Sequence, residues 1–320
     1  MRMNTVELHR HALQDGERDQ QARIFQRNAL LNDLYPENRR LMYAAMSAQA
    51  PLADAVSIEP VQTPEVRGWW VRPENPLPRK AIFYVHGGGY HLGDARSYLN
   101  FVSHIAVKTR CAVFSIDYAL APEHRFPAAY DDVRQALSWF AEQDVKEYVA
   151  MGDSAGGGLV LAVIGQRPVS GAALASVVVY SPWTDLSNSG ASFNDPATHD
   201  PVFVPAVLKG LAGSYLDGAD ALDPRASPLF GIPGQLPPLC IQVGADELLL
   251  DDSVRYAEGA ASKGHSVRLD IFEGMYHVFQ RDVGVLHTAS VALAQAAAFI
   301  TASWSDGEPH DRLPDSANGP

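Results

Sequence analysis

Gly152-Asp153-Ser154-Ala155-Gly156 lies where a short strand pattern, Glu147 to Met151, gives way to a small-residue helix pattern, and this junction restricts the fold more than any other stretch of the chain. A strand that turns directly into a helix leaves almost no room for side chains beside its apex. The glycines therefore flank a serine whose hydroxyl is pushed out at the top of a sheet. Gly157 and Gly158 extend the same lack of bulk into the first helical turn. The pentapeptide alone is also compatible with a Gly-rich turn that carries no chemistry, so a second feature has to decide.

His86-Gly87-Gly88-Gly89 decides it. The run follows the apolar strand pattern Ala81 to Val85, which places bare backbone just past a strand end, where it approaches a ligand closely. A serine that transfers acyl groups needs hydrogen-bond donors aimed at the oxygen that becomes negative in the transition state. The N–H groups of Gly87, Gly88 and Ala155 are the expected donors. Tyr90, next to the glycines, is expected to limit the substrate pocket.

The base should be a histidine after a late strand, with its acid earlier in the chain, because serine, acid, histidine is the order this architecture uses. Of 11 histidines, His277 has that position: it follows the strand pattern Val267 to Phe272 and precedes a long Ala-rich helix pattern. Asp246 is the expected acid, since it comes almost directly after the buried-strand pattern Leu239 to Val243, at the end where ligand-facing residues of a parallel sheet collect. Glu247 is its competitor. Asp251 and Asp252 read instead as the first turn of a helix, where a carboxylate meets the positive end of the helix dipole.

Together with these motifs, Asp117 to Ala128 (Asp-Tyr-Ala-Leu-Ala-Pro-Glu-His-Arg-Phe-Pro-Ala), Ser181-Pro182-Trp183-Thr184-Asp185-Leu186, Ala226-Ser227-Pro228-Leu229 and Gly274-Met275-x-His277-x-Phe279 resemble segments of the hormone-sensitive-lipase-like family of α/β-hydrolases. The resemblance implies an α/β-hydrolase fold, a mostly parallel central sheet flanked by helices and covered by a helical cap. It also implies Ser154 as nucleophile, Asp246 as acid, His277 as base and the glycine loop as oxyanion hole. Two stretches depart from the family pattern. Ala119 stands where arginine is usual and Arg125 where proline is frequent. After Asp246, Glu-Leu-Leu-Leu-Asp-Asp replaces the common Pro-Leu-x-Asp-Glu.

The 320 residues are 47% hydrophobic, enough for one large α/β domain with an added subdomain. A net charge of −12 without a Lys/Arg-rich run argues against nucleic-acid partners. No apolar run approaches the ~20 residues needed to span a bilayer, and the first ten residues lack a signal-type apolar region, so the expected location is cytoplasmic. Cys111 and Cys240 read as small buried hydrophobes; no metal site or cofactor is expected.

Residues 1–55 are expected to be N-terminal cap helices, beginning near Thr5, with Pro36 starting the second. Residues 56–186 and 225–304 form the two parts of the hydrolase core, 187–224 a second cap segment and 305–320 a disordered tail. The expected activity is hydrolysis of short-to-medium acyl esters. Lactones and aryl amides of the arylformamidase type are alternatives on the same machinery. A ligand receptor on the same scaffold is the non-enzyme alternative, one that needs no working base. The expected partner is a small-molecule ester or lactone, and the family resemblance adds a possible homodimer.

Overall fold

Successive side chains of the central strands alternate between two buried faces, which is why these strands read as continuous apolar runs. The computed structural model describes residues 5–166 and 171–304. The segment 305–320, expected to be a disordered tail, lies outside the described residues. Nine strands, β1 (Glu7–His11), β2 (Val56–Gln62), β3 (Arg67–Pro73), β4 (Lys80–Val85), β5 (Ala112–Asp117), β6 (Glu147–Asp153), β7 (Ala173–Tyr180), β8 (Leu239–Gly244) and β9 (Val267–Phe272), form one sheet. Its order is β1-β9-β8-β7-β6-β4-β5-β3-β2. Every pairing from β1 across to β5 is parallel; β3 runs antiparallel to β5, and β2 to β3.

The helices are α1 (Glu17–Leu34), α2 (Arg39–Ser47), α3 (Leu99–Thr109), α4 (Ala128–Ala141), α5 (Ser154–Gln166), α6 (Ala191–Asn194), α7 (Pro205–Leu216), α8 (Leu250–Ser262) and α9 (His287–Ser303). Ile82, Tyr84, Val113, Met151 and Val178 pack on one side with Phe101 and Ile105 of α3 and Leu293 and Ile300 of α9. Phe83, Val85, Phe114, Val179 and Ile241 pack on the other with residues of α4, α5 and α8. Trp70 of β3 is buried and joins this second core, while its neighbour Trp69 is only partly buried, as alternation requires.

The chain leaves β4 toward β5 on one side and returns as β6 on the other. The crevice outside the C-terminal ends of β4 and β6 is therefore the topological switch point, where open α/β sheets hold ligands. His86 to Gly89 follow β4 and Ser154 follows β6 at that same end.

The N-terminal segment departs from the expectation. Residues from Thr5 are expected to be helical, yet Glu7–His11 forms an edge strand lying parallel on β9. Its sequence, Glu-Leu-His-Arg-His, has no apolar alternation to announce a strand. Pairing rests on the backbone ladder, on His11 Nε2 against the buried Asp270 carboxylate at 2.7 Å, and on the His11 ring stacked over Phe272 at 4.3 Å. Helix α2 also starts later than Pro36: Asn38 accepts the Leu41 N–H and caps the helix.

Candidate active site

Ser154 occupies the left-handed region at φ 52°, the strained apex of a strand-to-helix turn. The flanking glycines are steric necessities. A Cβ on Gly156 would lie 2.2 Å from the Val85 carbonyl oxygen and 2.3 Å from that of His86, and one on Gly152 would lie 2.7 Å from the Gly156 carbonyl oxygen. The elbow can form only where these backbones touch.

His277, five residues beyond β9, brings Nε2 to 2.8 Å from Ser154 Oγ. Its ring is 5% exposed and meets the Phe203 ring edge-on at 5.1 Å. Thus Ser154 and His277, separated by 123 residues, are brought together as expected.

The carboxylate facing His277 Nδ1 is Glu247, at 2.5 Å, and not the expected Asp246. Glu247 is fully buried; its other oxygen accepts the Ser181 hydroxyl and the Gly244 N–H, both at 2.8 Å. The turn after β8 directs Asp246 the opposite way. Its side chain is 28% exposed and pairs with Arg18 of α1 at 3.3 Å. Two neighbouring residues on a turn project differently, and the turn, closed by the Gly244 N–H onto Glu247, selects the second.

The glycine loop also differs from the expectation at one donor. The Gly87 N–H is donated to Asp153 Oδ1 at 3.0 Å, so it is not free for a substrate. Gly87 and Gly88 carbonyls are bonded as well: His86 Nδ1 donates to the Gly87 oxygen at 2.7 Å, and the His91 and Leu92 N–H groups donate to that of Gly88. Among the described residues, the N–H groups of Gly88, Gly89 and Ala155 have no protein acceptor. Gly89, rather than Gly87, carries the second free N–H of the loop. Burial lowers the His86 imidazole below its ordinary value, consistent with a neutral ring that donates through Nδ1 and stacks on Tyr118 at 4.4 Å.

Asp153 carries more than this one bond. It is buried and accepts the Tyr84 hydroxyl at 2.7 Å and the Tyr98 hydroxyl at 3.0 Å. Burial pushes both phenols well above the ordinary tyrosine range, with the Asp153 carboxylate adding to the effect, so both act as donors.

Tyr90 is 1% exposed, enclosed by Tyr215, whose ring stacks on it at 3.9 Å, and Trp183 at 5.9 Å. It therefore presents no free surface to a substrate. Leu211 of α7 is the apolar side chain against the glycine loop, within 2.9 Å of where a Gly89 Cβ would stand. Neither Leu211, Phe203 nor Ser181 was singled out from sequence. Only Ser181 carried a signal, as the first residue of the Ser-Pro-Trp-Thr-Asp-Leu segment. No group of three or more potential metal ligands occurs among the described residues.

A parallel sheet with a serine elbow after one strand, bare amides after its neighbour, and a carboxylate and an imidazole after two later strands defines an α/β-hydrolase. The model of a family with the alpha/beta hydrolase fold matches residues 82–281. An esterase of Acinetobacter venetianus is 31% identical over 84% of this chain and 90% of that protein. An acetyl-hydrolase of Streptomyces hygroscopicus is 35% identical over 74% and 80%. The crystal structure of an esterase from the bacterial hormone-sensitive lipase family superposes with a TM-score of 0.81 at 32% identity, covering 89% of this chain and 98% of that one. The chain belongs to the hormone-sensitive-lipase-like family of α/β-hydrolases.

Proposed function

We propose that the protein is a serine carboxylesterase acting on small acyl esters through an acyl-enzyme. The observation that carries this reading is the unbroken line from Ser154 Oγ through His277 to Glu247, at 2.8 and 2.5 Å. His277 Nε2 takes the Ser154 proton as Oγ adds to the ester carbonyl carbon. Glu247 accepts Nδ1–H, which fixes the tautomer and stabilises the imidazolium. The carbonyl oxygen becomes negative and is met by the N–H groups of Gly88, Gly89 and Ala155. His277 then protonates the departing alkoxide, and water repeats the attack on the acyl-enzyme with the same base.

Helices α1 and α2 and the segment 187–224 serve as the cap. Leu211 and Phe203 are the cap's apolar contacts over the amides and the imidazole, and they favour small acyl groups. The similarity to an acetyl-hydrolase supports the same preference. A receptor on this scaffold has no need of an imidazole within hydrogen-bond distance of the serine. No helix among the described residues is long and apolar enough to cross a membrane.

The test is Ser154→Ala together with fluorophosphonate labelling and a panel of esters from acetyl to long-chain acyl. The substitution should lower kcat by roughly three orders of magnitude or more and abolish labelling, without altering the fold. Near-wild-type turnover would reject the nucleophile, and a preference for long, aggregated lipids would reject the substrate class.

A further inference from the structure

The carbonyl oxygens of His86, Gly87, Gly88 and Gly89 and the Gly87 N–H are all hydrogen-bonded, and the tie on the Gly87 N–H leads away from the site. Asp153 accepts three donors but has no direct cationic partner among the described ion pairs. Behind Tyr98 stands Arg281, on the 3₁₀ turn Phe279–Asp282 that follows His277. Its Nη1 donates to the Tyr98 hydroxyl oxygen at 3.0 Å, to that of Tyr43 at 2.7 Å and to Ser47 Oγ at 3.3 Å. Tyr43 and Tyr98 hydroxyls are 2.8 Å apart. Since the Tyr98 proton goes to Asp153, Tyr43 must donate to Tyr98. The directions then agree throughout: Arg281 to Tyr43 and Tyr98, Tyr43 to Tyr98, Tyr98 to Asp153, with Gly87 N–H arriving at Asp153 from the other side.

Such a chain joins a cation to a buried carboxylate through hydroxyls, and each bond polarises the next. It also joins four segments that the reaction needs in register. Asp153 precedes the nucleophile, Gly87 opens the amide loop, Arg281 belongs to the loop of the base, and Tyr43 and Ser47 belong to α2. Gly88 and Gly89 have φ of 119° and 60°, so the loop has the freedom of glycine and needs external anchors to hold its free N–H groups in one direction.

We propose that Arg281, Tyr98 and Tyr43 are positioning residues which, through Asp153, hold the Gly87 amide and thereby keep the Gly88 and Gly89 N–H groups aimed at the developing oxyanion. The proposal rests on the esterase reading above and extends it to residues that touch no substrate. Docking of α2 and the order of the oxyanion loop become one property.

The test uses the full chain and its Tyr98→Phe, Tyr43→Phe and Arg281→Gln variants, with the double variant Tyr98→Phe/Arg281→Gln. Two quantities are read: kcat and KM on an acetyl ester, and the inhibition constant of a trifluoromethyl ketone, whose carbonyl carbon takes Ser154 Oγ and whose oxygen becomes the anion. Tyr98→Phe should lower kcat about tenfold or more, leave KM within about twofold and weaken the ketone by the same factor as kcat. The double variant should lose no more than its worse single parent, because the bonds act in series. Variants that melt at lower temperature but keep kcat and ketone affinity would overturn the relay, as would losses that multiply. If Arg281→Gln does not fold, Tyr43→Phe replaces it in the cycle. A wild type that neither turns over esters nor binds the ketone overturns the esterase reading and the relay together. An active wild type with unaffected variants overturns the relay alone.

Discussion

Replacing Glu247 by glutamine tests the assignment of the acid at the level of single protons. In the wild type one carboxylate oxygen accepts His277 Nδ1–H at 2.5 Å while the other accepts Ser181 O–H and Gly244 N–H at 2.8 Å each. A carboxylate can accept at both ends; an amide cannot. If the glutamine oxygen faces His277, its NH₂ confronts two donors in a site with no access to water. If the amide flips, its NH₂ faces Nδ1 and favours the tautomer protonated at Nε2, which cannot take the Ser154 proton. The flipped arrangement satisfies more hydrogen bonds, so the inactive tautomer should dominate. Loss of the orienting carboxylate in such a triad is worth about 10³–10⁴ in kcat, or roughly 4–5.5 kcal/mol of transition-state stabilisation.

Asp246→Asn is the matched control. Asp246 pairs with Arg18, whose side chain is 59% exposed, and such solvent-screened pairs contribute on the order of 0–1 kcal/mol. Its kcat should stay within about fivefold of wild type. Steady-state hydrolysis of a chromogenic acetyl ester, with melting curves to confirm folding, measures both. If Asp246→Asn shows the thousandfold loss while Glu247→Gln turns over at near the wild-type rate, the acid is Asp246 and the geometry described above is not the working one.

Stability offers three further tests. Burial raises the Asp252 carboxyl from 3.8 to about 8; Asp185 adds to this, while the Thr184 and Asp185 amides and Arg255 oppose it. Because the folded value exceeds the unfolded one, folding takes up a proton here. The stabilisation is complete below about pH 4 and is lost as pH rises through about 8. Urea unfolding across that window should show wild type losing stability relative to Asp252→Asn, and parallel curves would refute the shift. Gly156→Ala, whose Cβ would meet backbone at 2.2 Å, should destabilise by about 3 kcal/mol or more. Gly213→Ala in α7, with open space around the new methyl, should stabilise by about 0.5–1 kcal/mol. Thermal or urea unfolding checks both signs.

What could be read from sequence followed from how local its physics is. The elbow was legible because the demand on Gly152 and Gly156 comes from backbones a few residues away or from the adjacent strand, and only glycine meets it. The alternating strands and helices announced the parallel sheet through apolar runs that must be buried on both faces. The choice between Asp246 and Glu247 was not legible, since it depends on how one turn closes and on Arg18, 228 residues distant, drawing Asp246 outward. Three consecutive glycines likewise conceal which N–H is occupied; that is settled by Asp153, whose own anchors Tyr84 and Tyr98 come from β4 and the start of α3. Strand β1 is not legible because four polar residues and a single exposed leucine at a sheet edge carry no period-2 signal.

The site is assembled against local backbone preference. Ser154, Ser181 and Val278 have φ of 52°, 44° and 52°, a region that costs non-glycine residues about 1–2 kcal/mol each and a β-branched valine at least as much. They lie at the proposed nucleophile, at the residue that holds the proposed acid, and directly after the proposed base. Ser181 links the last two: its hydroxyl donates to Glu247 and accepts the Val278 N–H at 3.2 Å. Buried hydrogen bonds between loops hold these residues in place, so the loops of Ser181, Glu247 and His277 cannot relax separately without breaking a bond to one another. Glu247, Ser181 and Val278 on one side, and Asp153, Gly87 and Arg281 on the other, make the proposed acid–base pair and the proposed oxyanion donors two halves of one braced structure, with Ser154 at the junction.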